Sequence, residues 1–317
     1  MTFRENYKYL RCIILLCFLL PAATCHKDPT NGDDGGYDPP GPYTNVFDWS
    51  PSWNRTNNKI AYMHSNKDIT DTIYPSGIYV IDADGRNRTR VFLSPHVRII
   101  DLDWSPDGHW IVANVHGLLL KIAYPDGQID TLLRGSEYYY PAWSPDGSKI
   151  ACVLRAGPDL GIYTLSLDGS DYRPLIHYAD YPVWYSPDSI LYVNWASDFP
   201  FGSICVSDAS GQNKRLVVHD STNDILYFYN ISSQFEKKRI AASAYIPGAS
   251  FYLYTYDMGQ NDLRRFLQYA DFPDFSPDGD SIIYTDIRIG YGNLNVICWD
   301  STGWRQVTEP LGPLGGP

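Results

Sequence analysis

The sequence predicts an all-β fold, a six-bladed β-propeller of four-stranded antiparallel blades. An isoleucine opens a short apolar run six times, at intervals of about 44 residues, and this is the period of a propeller blade. Strand formers also alternate with turn formers, since 26 Tyr, 12 Phe and 9 Trp accompany 25 Gly and 23 Pro. The repeated residues are Ile60, Ile111, Ile150, Ile190, Ile240 and Ile282.

The N-terminus has the pattern of an export signal. Residues 1–24 begin with Arg4, Lys8 and Arg11, continue with an apolar core and end in small residues. The apolar core is too short to span a bilayer. Because Cys25 follows the small residues directly, the segment resembles a bacterial lipoprotein signal, which implies lipidation of Cys25 and a membrane anchor. An ordinary cleaved signal is the alternative.

The rest of the chain divides into a tether, a propeller and a tail. Residues 25–42 are rich in Asp, Gly and Pro, so we expect a flexible tether there. The propeller is predicted over 43–310, and 311–317 is expected to be disordered. The net charge is −11. Without residues 1–24 it becomes −13, from 22 basic and 35 acidic residues. A chain this acidic lacks the basic surface that nucleic acids require, which excludes them as partners.

Each blade is predicted to follow one scheme. An innermost strand ends in an aromatic residue, and a Ser-Pro turn leads into the isoleucine strand. A variable loop and a third strand follow, and a second glycine turn introduces a short polar outer strand. The fifth blade lacks the Ser-Pro pair but keeps Ile240, so we count it as a degenerate blade. The pairs are Ser50-Pro51, Ser105-Pro106, Ser144-Pro145, Ser186-Pro187 and Ser276-Pro277.

The repeat unit resembles a known family. It reads Trp-Ser-Pro-Asp-Gly, Lys-Ile-Ala, Ile-Tyr and Asp-Gly, as between Trp143 and Gly169. This is similar to the WD-like propeller repeat of TolB-like proteins and of prolyl oligopeptidase-type peptidases. The resemblance covers about residues 43–308 and implies the fold without fixing a function. No Gly-x-Ser-x-Gly nucleophile motif follows the propeller, so a peptidase role is not implied. TolB proteins carry a separate domain before the propeller, where this chain has only a short tether, so the resemblance does not imply a role in the Tol system either.

The most irregular residues are expected on the face opposite the Ser-Pro turns. There, loops join the second and third strands, and connections lead from each blade into the next. Two connections share the sequence Tyr-Ala-Asp-aromatic-Pro, at 178–182 and 269–273. Tyrosines, a tryptophan and carboxylates at a channel mouth are typical of a sugar or peptide site, although packing between blades also explains them. The predicted binding residues are Tyr139, Tyr140, Asp180, Tyr181, Trp195, Asp271 and Phe272.

Three histidines lie in connections on the same face, namely His96, His177 and His219. Oligogalacturonate lyases, whose propellers contain similar units, hold a metal with channel histidines. That resemblance implies a metal site here, although solvated loop histidines explain the same pattern.

These observations favour a non-enzymatic lipoprotein of the bacterial cell envelope. We expect it to be periplasmic or surface-facing, monomeric, without a cofactor, and to bind a protein or glycan partner through its loop-rich face. The alternative is a metal-assisted polysaccharide lyase or another carbohydrate-active enzyme that uses the His and Asp residues at the channel mouth. A purely architectural role, with the rim residues merely packed, is the third hypothesis.

Overall fold

The computed structural model contains six four-stranded antiparallel sheets arranged as a β-propeller, which confirms the predicted fold class. It describes residues 46–66, 75–94, 99–135, 138–155, 160–219, 227–246, 250–288 and 292–308. The predicted signal (1–24), Cys25, the tether and the tail lie outside these ranges. No helix long and apolar enough to cross a membrane occurs in the described ranges.

Each blade consists of four strands that are consecutive in sequence, numbered from the channel outward. Blades 1 and 2 contain β1 (Val46–Trp53), β2 (Lys59–Asn66), β3 (Gly77–Asp82), β4 (Thr89–Leu93), β5 (Ile99–Trp104), β6 (Trp110–Val115), β7 (Leu118–Ala123) and β8 (Ile129–Arg134). Blades 3 and 4 contain β9 (Tyr138–Trp143), β10 (Lys149–Leu154), β11 (Gly161–Ser166), β12 (Arg173–His177), β13 (Ala179–Ser186), β14 (Ser189–Asn194), β15 (Ile204–Asp208) and β16 (Arg215–Val218). Blades 5 and 6 contain β17 (Tyr227–Gln234), β18 (Arg239–Ile246), β19 (Ser250–Asp257), β20 (Asp262–Gln268), β21 (Ala270–Phe275), β22 (Ser281–Asp286), β23 (Asn293–Cys298) and β24 (Arg305–Gln306).

The Ser-Pro-Asp-Gly sequence forms the turn between the first two strands by a side-chain mechanism. In blade 2, Ser105 Oγ donates to Asp107 Oδ1 at 2.5 Å and accepts from the Trp110 amide at 2.9 Å. Gly108 has a φ of 73°, the left-handed conformation that glycine adopts without strain. Ser144 and Ser276 make the same pair of bonds in blades 3 and 6.

The predicted turn at Ser50-Pro51 is wrong for blade 1. These residues lie inside β1, and the turn is formed by residues 54–58, where the Asn54 amide donates to the Lys59 carbonyl. Asn54 Oδ1 accepts from the Thr56 amide at 2.8 Å and supports the turn. The sequence Asp48-Trp49-Ser50-Pro51 therefore resembles the repeat motif but lies four residues before the position that the motif has in the other blades. In register, Trp53 pairs with Ile60 as Trp104 pairs with Ile111.

The ring closes by packing blade 6 against blade 1. Ile60 and Tyr62 of blade 1 share a buried cluster with Ile283, Leu294 and Val296 of blade 6. The Trp53 amide also donates to Asp274 Oδ2 at 2.6 Å, across the same boundary. Both sheets consist of consecutive strands, so contacts between whole blades hold the described ring together.

The two ends of the ring differ. In an up-and-down blade, the turns after the first and third strands lie at one end, which we call the hairpin face. The loops after the second strand and the connections between blades lie at the other end, which we call the loop face. The repeats are regular on the hairpin face and irregular on the loop face.

Candidate functional site

Every innermost strand carries a β-bulge at the same position. The register shifts in β1, β5, β9, β13, β17 and β21, three residues before the residue that pairs with the repeated isoleucine. A bulge opposes two residues to one and redirects a side chain. Five bulge residues have positive φ, between 42° and 51°. The six residues at this position, which we call the bulge ring, are Ser50, Asp101, Tyr140, Tyr181, Asn230 and Phe272.

A cavity of about 400 Å³ occupies the channel on the hairpin side of the bulge ring. All six bulge-ring residues line it, and the lining continues along the inner strands to the first turn of each blade. At that end the lining includes Arg55, Phe235 and Glu236, which are exposed. The cavity is therefore open on the hairpin face.

Two tyrosines whose rings contact each other at a tilt narrow the inner end of this cavity. The rings of Tyr140 and Tyr181 are 4.3 Å apart between centroids, and the Tyr140 hydroxyl donates to the Tyr181 hydroxyl at 3.3 Å. Both residues are buried, and burial raises the pKa of each phenol. Both phenols are therefore neutral at physiological pH. These two predicted site residues, together with Phe272, do line the channel.

Asp180 lies behind the channel wall in an ion pair with Arg155. Only 1% of Asp180 is exposed, and its Oδ2 accepts from Arg155 Nε at 3.1 Å and from an Arg155 terminal nitrogen at 2.5 Å. The guanidinium also lies 4.9 Å from the ring centroids of Tyr139 and Tyr140. Burial raises the pKa of Asp180, and the charge of Arg155 opposes this rise. Asp180 and Tyr139 thus form part of an arginine-centred cluster.

Asp271, the equivalent residue of blade 6, is held by hydrogen bonds instead of a cation. Its Oδ1 accepts from Ser243 Oγ at 2.6 Å, from Asn230 Nδ2 at 2.8 Å and from the Phe272 amide at 2.7 Å. Burial raises the pKa of Asp271, and these donors oppose the rise. Neither Asp271 nor Asp180 is among the residues that line the cavity.

The aspartates that do line the cavity among the described residues are Asp101, Asp103 and Asp274, which the sequence reasoning missed. Asp103 Oδ1 accepts from Ser52 Oγ of blade 1 at 3.1 Å, and its Oδ2 accepts from the Trp143 amide of blade 3 at 2.8 Å. Asp274 likewise accepts from Ser232 Oγ of blade 5 at 2.7 Å and from the Trp53 amide of blade 1. Asp103 and Asp274 therefore each bond both neighbouring blades.

Burial raises the pKa of the three channel aspartates, Asp101, Asp103 and Asp274. The pKa reaches about 7 for Asp101 and for Asp103, with desolvation as the main cause. Hydrogen bonds from Ser50 and from the Leu102 amide partly oppose this rise at Asp101. The two carboxyls are partly accessible from the cavity, but protein surrounds them and excludes most of the bulk water. The recurrence of Asp before the aromatic residue of the Ser-Pro turn, at Asp103 and Asp274, was the signal available in the sequence.

Three more of the predicted site residues, Trp195, His177 and His219, are not among the residues that line the cavity. Trp195 is 3% exposed and packs against Phe201, with 4.7 Å between ring centroids. His177 ends β12 and His219 follows β16, so both are exposed at the ends of outermost strands. His96 lies outside the described residues. Within the described part of the chain, no group of three His, Cys, Asp or Glu side chains is placed to hold a metal ion.

Two exposed tyrosines on the loop face were not predicted as site residues. Tyr178 and Tyr269 are 42% and 40% exposed, and each begins one of the two Tyr-Ala-Asp-aromatic-Pro connections. Their φ angles are 52° and 59°, a left-handed conformation that is unusual for a bulky residue. In both, the tyrosine amide donates to the preceding blade and the tyrosine carbonyl accepts from the following blade. The repeated motif thus buries its aspartate and exposes its first tyrosine.

No protein-family model matches the chain. Among solved structures, the chain is similar to TolB from Acinetobacter baumannii, with a TM-score of 0.63 and 15% identity over 83% of this chain and 63% of that one. The chain thus spans less than two thirds of that protein. A putative TolB from Agrobacterium tumefaciens matches with a TM-score of 0.59 and 18% identity, over 70% of this chain and 84% of that one. An oligogalacturonate lyase in complex with manganese matches with a TM-score of 0.55 and 12% identity, over 84% and 77%. The fold is therefore that of a TolB-like propeller.

Proposed function

We propose that this protein is a non-enzymatic, envelope-anchored propeller that binds a protein or glycan partner through its loop face. The observation that carries the proposal is the pair of exposed tyrosines, Tyr178 and Tyr269, at equivalent positions of two repeats. The lipoprotein-like signal ending at Cys25 supports anchoring in the envelope. The TolB-like fold is compatible with that location.

The backbone of these tyrosines supports a role beyond packing. A left-handed conformation costs about 1–2 kcal/mol for a residue with a Cβ, and glycine or asparagine adopts it more easily. About 40% of each residue is exposed, so packing in the core does not use the whole side chain. Strained backbone tends to occur at functional sites. An exposed phenol offers an apolar face for stacking and a hydroxyl for hydrogen bonding, which suits both sugars and protein surfaces.

The test is capture of partners from envelope extract with the full chain. Tyr178→Ala and Tyr269→Ala should each reduce recovery of the partner, and the double variant should abolish it. Leu216→Ala is the matched control, because Leu216 is 42% exposed on the outer strand β16 and lies in neither connection. Glycosidase treatment of the extract separates a glycan partner from a protein partner. Unchanged recovery with the double variant would contradict the proposal.

The polysaccharide lyase is the second candidate, and its motive is the similarity in fold to an oligogalacturonate lyase. Its test is incubation of the protein with oligogalacturonate and Mn²⁺. A lyase would release unsaturated products that absorb in the ultraviolet. If the native chain forms these products and a variant that lacks His177 and His219 does not, the result would support the lyase and contradict the non-enzymatic binding proposal.

A further inference from the structure

The channel cavity on the hairpin face has the features of a second ligand site, separate from the loop face. It is open at one end and narrowed at the other by Tyr140 and Tyr181. Its volume, about 400 Å³, lies within the range of small-molecule pockets. A side chain or small molecule could therefore enter it from the hairpin face.

The charges of the cavity favour a cation. Asp101, Asp103, Asp274 and Glu236 line it, and Arg55 is the one basic residue among the described residues of the lining. The aromatic rings are distributed over both ends. Tyr140, Tyr181 and Phe272 lie at the inner end, and Tyr185 and Phe235 meet edge to face at the mouth, with 4.9 Å between centroids. Carboxylates combined with aromatic faces are the groups that bind organic ammonium ions.

Asp101 differs from the other two channel aspartates in its hydrogen bonds. Both oxygens of Asp103 and of Asp274 accept bonds that join blades. At Asp101, Oδ1 accepts from Ser50 Oγ at 2.5 Å and from the Leu102 amide at 2.9 Å. Within the described residues no donor reaches its Oδ2. The bonds between blades therefore explain why Asp103 and Asp274 are buried in the channel. At Asp101 one carboxylate oxygen, Oδ2, is left to accept a bond from a ligand.

Buried donors on the cavity lining are also unused. Trp143 and Trp184 are each 6% exposed, Ser233 is 2% exposed, and all three line the cavity. Trp143 Nε1, Trp184 Nε1 and Ser233 Oγ have no hydrogen-bond partner within the described part of the chain. These three atoms are shielded from solvent, so they do not face the open space of the cavity and supply no donor to a ligand there.

We propose that the channel cavity binds the ammonium group of an amine ligand, with Asp101 as its carboxylate partner. The aromatic rings surround the alkyl chain, and Asp103 and Asp274 add negative potential. A lysine side chain of a peptide and a free polyamine share this chemistry.

Binding should depend on pH through the titration of Asp101. Burial raises the pKa of Asp101 to about 7, so an arriving cation favours its ionised form and releases a proton. We therefore expect affinity to increase as pH rises through about 7. The other charged or titratable groups that act on this region are Asp103, Asp271, Asp274, Arg55 and Tyr140.

The test is isothermal titration calorimetry of the full chain with three probes. These are Nα-acetyl-lysine methylamide, cadaverine, and the neutral Nζ-acetylated form of the first. The two ammonium probes should bind saturably and the neutral probe should not. Tighter binding of the lysine probe identifies a peptide as the source of the amine, and tighter binding of cadaverine identifies a polyamine. Equal binding of the neutral probe, or no saturable binding of any probe, would overturn the proposal.

Two substitutions in the cavity and one control outside it test which residues bind the ammonium group. Asp101→Asn keeps the shape and the acceptor of the Ser50 bond, so it should fold and lose at least about tenfold in affinity. Asp198→Asn makes the same charge change at an exposed residue outside the cavity lining and should bind as the native chain does. Phe235→Ala, at an exposed residue of the mouth, should weaken binding several-fold and gives a second test. Native affinity in both Asp101→Asn and Phe235→Ala would refute the site.

Discussion

The raised pKa of Asp101 predicts that its charge destabilises the folded protein at neutral pH. In the unfolded chain this carboxyl titrates near 3.8, whereas in the fold its pKa is about 7. The folded state therefore binds the proton more tightly. Between these two values, the contribution of Asp101 to the free energy of unfolding decreases as pH rises. Asp101→Asn removes the charge, so its stabilising effect should grow as pH rises from 3.8 and reach its full size above about pH 7.

The magnitude follows from the shift of about 3 units, which corresponds to about 4 kcal/mol at the upper limit. Water in the open cavity screens the carboxylate, so we expect about 2 kcal/mol at pH 8. The asparagine Oδ1 can still accept from Ser50 Oγ and the Leu102 amide. Its Nδ2 replaces the oxygen that has no partner within the described residues.

The assay is urea unfolding of both proteins at about pH 4.5 and about pH 8, with Asp198→Asn as the control for net charge. Asp101→Asn should be more stable than the native chain at the higher pH, and most of the difference should disappear at the lower pH. A destabilised Asp101→Asn at pH 8, or a difference that does not change with pH, would refute the reasoning. A gain in stability together with loss of amine binding would show that the carboxylate is kept for function.

Three further predictions concern the ring itself. Arg155→Met leaves Asp180 buried without its cation, so it should lower the free energy of unfolding by about 3–5 kcal/mol at neutral pH and by less in acid, where Asp180 is protonated; urea unfolding at two pH values checks this. Leu294→Ala creates a cavity between blades 6 and 1 and should cost about 2–5 kcal/mol, measured by urea unfolding against the exposed Leu216→Ala, which should cost far less. Gly85→Ala, in the turn between β3 and β4, forces a Cβ to within 2.8 Å of the Val307 carbonyl oxygen at a φ of 88°. It should lower Tm and speed amide exchange in β4 and β24, and native exchange rates there would contradict the ring closure described above.

The fold could be predicted because the same sequence pattern recurs in each repeat. A period of about 44 residues, with a Ser-Pro turn in most units, specifies four-stranded blades even where one unit has diverged. The error in blade 1 has a local cause, since Asp48-Trp49-Ser50-Pro51 copies the residues of the motif but lies at the bulge of β1. Only pairing with the next strand distinguishes the copy from the turn at residues 54–58. Sequence patterns do not contain that register.

The site was less predictable because burial of a polar side chain depends on its neighbours in space. Asp180 and Asp271 occupy equivalent positions, yet one pairs with Arg155 and the other with Ser243 and Asn230. Asp101 lines the channel because of a β-bulge in β5, and the sequence around Asp101 does not predict that bulge. The roles of Tyr178 and Tyr269 likewise depend on exposure and backbone conformation. The residues of the motif were visible in the sequence, but the direction of each side chain was not.

Photocrosslinking in intact cells tests the loop-face proposal most directly. A photoreactive phenylalanine analogue would replace Tyr178, Tyr269 or, as the control, Leu216 in the full chain. We predict that the two loop-face positions capture the same envelope partner and that position 216 captures none. Absence of any adduct from positions 178 and 269, or the same adducts from position 216, would contradict a partner site on the loop face.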